Sequence, residues 1–179
     1  MSSYELVPFD ASHRDEYIRL LAEAWGNRGL SPEEFEWWFE RNPAGSILRT
    51  ALVDGQVAGV GAHMLARMVI GGEERRVSFS CHAVTSPAAS GRGIFTELQR
   101  ALDQAAQEQG IELVLGFGNE VTNPVFFGRL VRRELGRAHF VEVPSAALKM
   151  RRACVPATVS LTAIRSHAPE STSSNVRGG

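Results

Sequence analysis

Cysteine is nearly absent from this 179-residue chain, with Cys81 and Cys154 as the whole supply. Two thiols are too few for a disulfide scaffold or a cysteine-built zinc site, so both are expected to be reduced. No apolar run approaches the roughly 18 residues of a membrane span. The first residues, MSSYELVPFD, lack the apolar centre of a secretion signal. An excess of one charge is missing as well: 19 Lys and Arg stand against 20 Asp and Glu. That balance gives no global pull toward nucleic acid, membranes or acidic partners. A cytoplasmic protein is the expectation. Tyrosine is scarce, with only Tyr4 and Tyr17, both near the start.

What is present suits a packed fold. The 44% hydrophobic and 22% charged content, over this length, predicts one domain with a full core. Tyr4 to Pro8 reads as an edge strand. Ser12 is the expected cap of a helix carrying Tyr17, Leu20, Leu21, Ala24 and Trp25, stopped by Gly26. SPEE starts a second helix, with Ser31 as cap, Pro32 at the first position and Glu34 closing a capping box. Its Phe35, Trp38 and Phe39 share a face.

From Ile47 the apolar period shifts toward two. ILRTALV, the Asp54-Gly55 turn and QVAGVGAHMLARMVI predict a hairpin, with Gly59 and Gly61 marking a bulge or a close neighbour. Gly71-Gly72 turns the chain again into a third strand, RRVSFSCHAVT, residues 75 to 85. Strict alternation then allows at most one of Cys81 and His82 on a given face. After Gly93, Ile94, Phe95, Leu98, Ala101, Leu102 and Ala105 form an amphipathic helix ending at Gly110. IELVLGFG, residues 111 to 118, reads as a buried strand. Asn123-Pro124 opens a helix expected to turn Val125, Phe127, Leu130 and Val131 inward, with Arg129, Arg132 and Arg133 on its solvated face. HFVEV, residues 139 to 143, is a further strand, and Thr158 to Ile164 alternates enough to add one more. The order β-α-α-β-β-β-α-β-α-β predicts an α/β fold built on a mixed sheet with helices on both faces.

The chemistry concentrates in SPAASGRGIFTEL, residues 86 to 98. Gly91 and Gly93 lie between a strand and a helix N-terminus, where unpaired N–H groups offer an anion site once side chains are absent. Arg92 adds a cation. A plain tight turn is the competing reading of the same glycines. A dinucleotide fingerprint fits poorly, because Thr96 stands where its third glycine belongs and the preceding strands look antiparallel. No Gly-Lys-Ser/Thr of a nucleotide-binding loop occurs in the chain.

SGRGIF, residues 90 to 95, resembles the Gln/Arg-x-x-Gly-x-Gly/Ala signature of the GCN5-related N-acetyltransferase (GNAT) superfamily, placed between the same strand and helix. GFGNEVTNPVFFGRL, residues 116 to 130, is similar to the strand-to-helix junction of one branch of it. The resemblance spans roughly residues 4 to 143. It implies a splayed mixed sheet and acetyl-CoA as co-substrate. It implies that backbone N–H groups at Gly91, Arg92, Gly93, Ile94 and Phe95, with Ser90 and Thr96 beside them, hold the pyrophosphate. Ala83, Val84 and Thr85 would pair with the pantetheine arm and Asn119 would hydrogen-bond it, unless Asn119 is simply a turn residue. By this reading residues 1–150 form the acetyltransferase domain, 151–165 a final strand or linker, and 166–179 a disordered polar tail.

Three departures qualify what the resemblance implies. Ser90 replaces the usual Gln/Arg, Phe95 replaces the final Gly/Ala, and the helix after Asn119 has no tyrosine. The slot where many members carry an acid tyrosine falls near Phe127 or Arg132, so a tyrosine-acid route is not expected. Direct transfer still wants a base, because a free amine is mostly protonated at neutral pH. His82, Glu120 and His63 are the candidates, with His82 and Glu120 preferred, and Cys81 lacks an obvious partner as a nucleophile. The expected acceptor is a primary amine of a small molecule or peptide, such as an amino sugar, amino acid or antibiotic-like amine. It would enter beside Trp25, Trp37, Trp38 and Phe39. Neither nucleic acid nor a membrane is an expected partner, and a homodimer is left open. Two other readings stand beside this one: a non-catalytic acyl-CoA-binding or partner-binding module, and the N-terminal half of a two-domain acyltransferase.

Overall fold

The computed structural model describes residues 3–26, 29–130, 132–140 and 157–165. Strand β1, Tyr4–Pro8, leads through a 3-10 turn, Ala11–His13, into helix α1, Arg14–Trp25. Ser12 does not cap α1: the N-cap residue is His13, which makes no side-chain cap bond, and Asp10 caps the preceding 3-10 turn, its carboxylate accepting from the Ser12 backbone N–H. Gly26 ends α1 at φ 62, as its position predicts. Helix α2, Pro32–Phe35, starts with the expected capping box, Ser31 and Glu34 each accepting from the other's backbone N–H. It runs on as a π-helical turn, Glu36–Glu40.

Strands β2, Ser46–Val53, β3, Gln56–Ile70, and β4, Glu73–Thr85, form the antiparallel meander. Asp54 and Gly55 both take positive φ, 51 and 77, as a type I′ turn requires. Helix α3, Ile94–Glu108, then crosses to β5, Leu113–Gly118, which pairs parallel to β4. Helix α4 covers only Asn123–Gly128, and β6, Arg133–Phe140, and β7, Ala157–Arg165, bring the sheet among the described residues to seven strands ordered β1-β2-β3-β4-β5-β7-β6.

Two expectations near the C-terminal end need correction. The helix opened by Asn123 stops at Gly128, and the next strand begins at Arg133 instead of His139. Phe126 is its buried residue, while Phe127 is exposed. Residues 141–143 of the expected HFVEV strand, Val131, Cys154 and the expected tail 166–179 lie outside the described residues.

The strand alternation divides the core. Val57, Val60 and Ala62 pack with Tyr17, Leu20, Leu21, Phe35 and Phe39 of α1 and α2. Ala51, Ala58 and Ile47 turn the other way, onto α3. Gly59 and Gly61 let α3 approach. An added Cβ would stand 2.9 Å from Ile94 Cγ2 at position 59 and 2.9 Å from Leu102 Cδ1 at position 61. Among the described residues, no helix is long and apolar enough to cross a membrane.

Candidate active site

The site begins where the sheet parts. β4 and β5 pair in parallel from Val77–Leu113 to Ser80–Gly116 and no further. β4 continues to Thr85 with its other edge still bonded to β3, so its β5-facing backbone from Cys81 to Thr85 has no strand partner. The gap is a cavity of about 520 Å³. Seven of the site residues expected from the sequence line it: His82, Ala83, Val84, Thr85, Ser90, Phe95 and Asn119. The Phe95 side chain is half-buried against Phe126 at a ring distance of 6.1 Å.

The glycine turn lies at the α3 end of this gap. Gly91 and Gly93 take φ 78 and 81, and a Cβ added at either would meet nothing within 4 Å. Both facts count: the backbone conformation favours glycine, and the space above the turn is open. No side chain caps α3, in contrast to α2 with its serine. A 15-residue helix therefore offers its first N–H groups and its positive dipole end to an outside acceptor. This arrangement fits a pyrophosphate. At Ile94 and Thr96 only the backbone is open to the turn, since both side chains are buried. Arg92 is exposed beside the turn.

His82 owes its orientation to a β-bulge. Val60 pairs with Val84 and Ala62 with Cys81, which leaves Gly61 facing both His82 and Ala83. His82 takes φ 48, a left-handed backbone unusual for a side-chain-bearing residue. The bulge overturns the strict alternation expected here. Cys81 packs against the α1/α2 core, and His82 points to the same side, within 5.5–5.7 Å of the Trp25, Trp38 and Phe39 rings. Burial holds the imidazole below its ordinary pKa, with Glu34 pulling weakly the other way. Its Nδ1 has no hydrogen-bond partner among the described residues. The thiol of Cys81 is pushed up to about 12 by burial, which makes it a poor nucleophile.

The other candidates divide. Glu120 is exposed and does not line the cavity. His63 is fully buried, its pKa pushed down to about 3 by burial and then by the nearby Arg132. Asn119 does line the gap, yet its side-chain oxygen accepts from the Val121 and Thr122 backbone N–H groups at 3.0 Å each. It thus builds the turn that enters α4. Trp37 is 67% exposed and stands outside the aromatic wall expected of it. Neither tyrosine reaches the cavity: Tyr17 is buried against Phe9 and Phe35, and Tyr4 packs under α3.

Sequence reasoning missed one buried ionic group. Arg132, expected on a solvated face, has a fully buried side chain. Its Nη2 donates to both Asp103 oxygens, at 2.9 and 3.2 Å, and to Gln99 Oε1 at 3.0 Å. The signal for it was on α3, where Gln99 and Asp103 place an i, i+4 polar pair beside an apolar stripe.

The family model of the acetyltransferase (GNAT) domain matches residues 6–130. Solved structures share the fold. An acetyltransferase from Trypanosoma brucei is 22% identical, covers 79% of this chain and 100% of its own, and gives a TM-score of 0.65. The Salmonella typhimurium protein yncA, assigned as an acetyltransferase and solved with its cofactor acetyl-CoA, is 16% identical. It covers 95% of this chain and 99% of its own at a TM-score of 0.70. The ribosomal-protein-S18-alanine N-acetyltransferase of Escherichia coli is 9% identical, with 94% and 98% covered and a TM-score of 0.69. At these identities the likeness establishes the fold. No curated protein matches the chain.

Proposed function

This chain belongs to the GNAT acetyltransferase family, and on that premise we propose that it transfers an acetyl group from acetyl-CoA to a primary amine by direct attack. The observation that carries the reading is the coincidence of three features in one gap. The sheet parts after Ser80, the uncapped glycine turn opens at one end, and His82 is bulged to its wall.

Acetyl-CoA supplies an activated thioester, whose C–S bond breaks as the amine nitrogen bonds to the carbonyl carbon; the CoA sulfur leaves as a thiolate and takes its proton from solvent. The residues of this chain bind, orient and move a proton. Backbone N–H groups from Gly91 to Phe95 hold the pyrophosphate against the α3 dipole. The unpaired edge of β4 from Ala83 to Thr85 hydrogen-bonds the pantetheine arm, as an added strand would. An N–H near Val84 polarises the thioester carbonyl. His82 takes the proton of the attacking amine: its burial favours the neutral, basic form at pH 7.

The lining also speaks to the acceptor. Among the described residues it holds no Asp, Glu, Lys or Arg, and Trp25, Phe117 and Val121 give it an apolar rim. An amine on an uncharged, apolar body finds complementary surface there. An amino acid's carboxylate or a sugar phosphate finds no counter-charge. The deciding experiment follows release of free thiol from acetyl-CoA across a panel of amines. Turnover with apolar primary amines is expected. Acetyl-CoA binding with no thiol release from any amine would favour the non-catalytic module, the reading that the missing tyrosine supports.

A further inference from the structure

The mechanism above leaves the buried arginine unused, although it touches three sides of the cavity's frame. Arg132 lies just beyond α4, and its backbone N–H donates to the Phe126 carbonyl at 2.9 Å. Its guanidinium carbon stands 4.4 Å from the centroid of the Phe126 ring, a residue that lines the gap. Its Nη2 reaches Asp103 and Gln99 on α3. The same Gln99 oxygen accepts from Ser80 Oγ at 2.8 Å, and Ser80 is the last residue of β4 to pair with β5. One guanidinium therefore ties α4, α3 and the fork of the sheet together. Nε and Nη1 of this side chain have no hydrogen-bond partner among the described residues. Burying a cation so incompletely satisfied is costly in a purely structural role.

We propose that Arg132 is a positioning residue that clasps α4 to α3 and to the fork at Ser80, and so fixes the width of the slot for the donor's pantetheine arm. The inference rests on the reading of this gap as the acetyl-CoA site. Arg is suited to the task because its planar fork serves two acceptors while its face lies on a ring. Lysine would keep the pair with Asp103 but not the simultaneous hold on Gln99 and Phe126. The clasp acts on the slot and not on the glycine turn, which lies at the other end of α3's first turns.

The test compares two ligands. Acetyl-CoA fills both turn and slot, whereas ADP carries the pyrophosphate without the pantetheine arm. Affinities for both are measured by calorimetry on the full chain, for wild type, Arg132→Lys and the double variant Asp103→Leu/Arg132→Met. The double variant removes the buried charges together, so it folds even where a lone unpaired charge would not. About tenfold weaker acetyl-CoA binding in both variants is expected, with ADP affinity unchanged. Unchanged acetyl-CoA affinity, or equal losses for both ligands, overturns the clasp and leaves Arg132 a structural residue. Wild type that binds neither ligand overturns the acetyl-CoA reading itself, and the clasp with it.

Discussion

Gly61 on β3 faces both His82 and Ala83 across a β-bulge in β4. The extra residue gives His82 its φ of 48 and turns the imidazole toward Trp25, Trp38 and Phe39. Gly61 leaves room for α3, whose Leu102 Cδ1 would stand 2.9 Å from an added Cβ. A sheet irregularity thus places a titratable group where the strands part.

Replacing Gly61 with valine should therefore cost stability. Leu102 is fully buried and has little room to give, so overpacking of about 1–3 kcal/mol outweighs the gain in strand propensity. A urea titration reads the change. An unaltered midpoint would show that the helix accommodates the added methyls.

His82 should set the acid limb of catalysis. Burial lowers its pKa, so the neutral base persists below pH 6.5, and kcat/KM should keep its plateau to a more acidic pH than a free imidazole allows. His82→Gln should lose about 10²- to 10⁴-fold in kcat and lose this limb. A variant within twofold of wild type at every pH would remove His82 from the mechanism.

The buried His63 should make the fold sensitive to acid. Its pKa is near 3 in the native state and near 6.5 when unfolded, so between these values the unfolded chain binds a proton that the native chain does not. Stability is then lost as pH falls from about 6.5 toward 3, at no more than about 1.4 kcal/mol per pH unit. Asp103 pulls oppositely: burial raises its pKa, so its contribution falls as pH rises above its unfolded value of 3.8. Its carboxylate lies 3.5 Å from His63 Nε2 yet is already engaged by Arg132. Denaturation midpoints measured from pH 7 to 4.5 should fall less steeply for His63→Gln than for wild type. Parallel curves would contradict this account.

Local chemistry was legible in the sequence. The SPEE cap, the Asp54-Gly55 turn and the Gly91/Gly93 pair depend on residues a few positions apart, and all three take the expected conformations. The parting of β4 and β5 followed from the resemblance and not from periodicity. Two features were hidden because they depend on partners distant in sequence. The bulge at His82 is visible only once β3 is aligned beside β4. Arg132 looked like a solvent-facing helix residue because Gly128 was not read as a stop. With the helix ended there, the chain folds back and carries the guanidinium under α3.

The central claim is that the turn before α3 holds the donor's pyrophosphate. Calorimetry with acetyl-CoA should be run on wild type, Gly93→Asn and Gly93→Glu. Asparagine tolerates the left-handed backbone at position 93 and controls for strain, while glutamate adds bulk and negative charge to the open space above the turn. Wild type should bind, Gly93→Asn should bind more weakly, and Gly93→Glu should not bind at millimolar acetyl-CoA. Equal affinity in all three would show that the turn is only a turn.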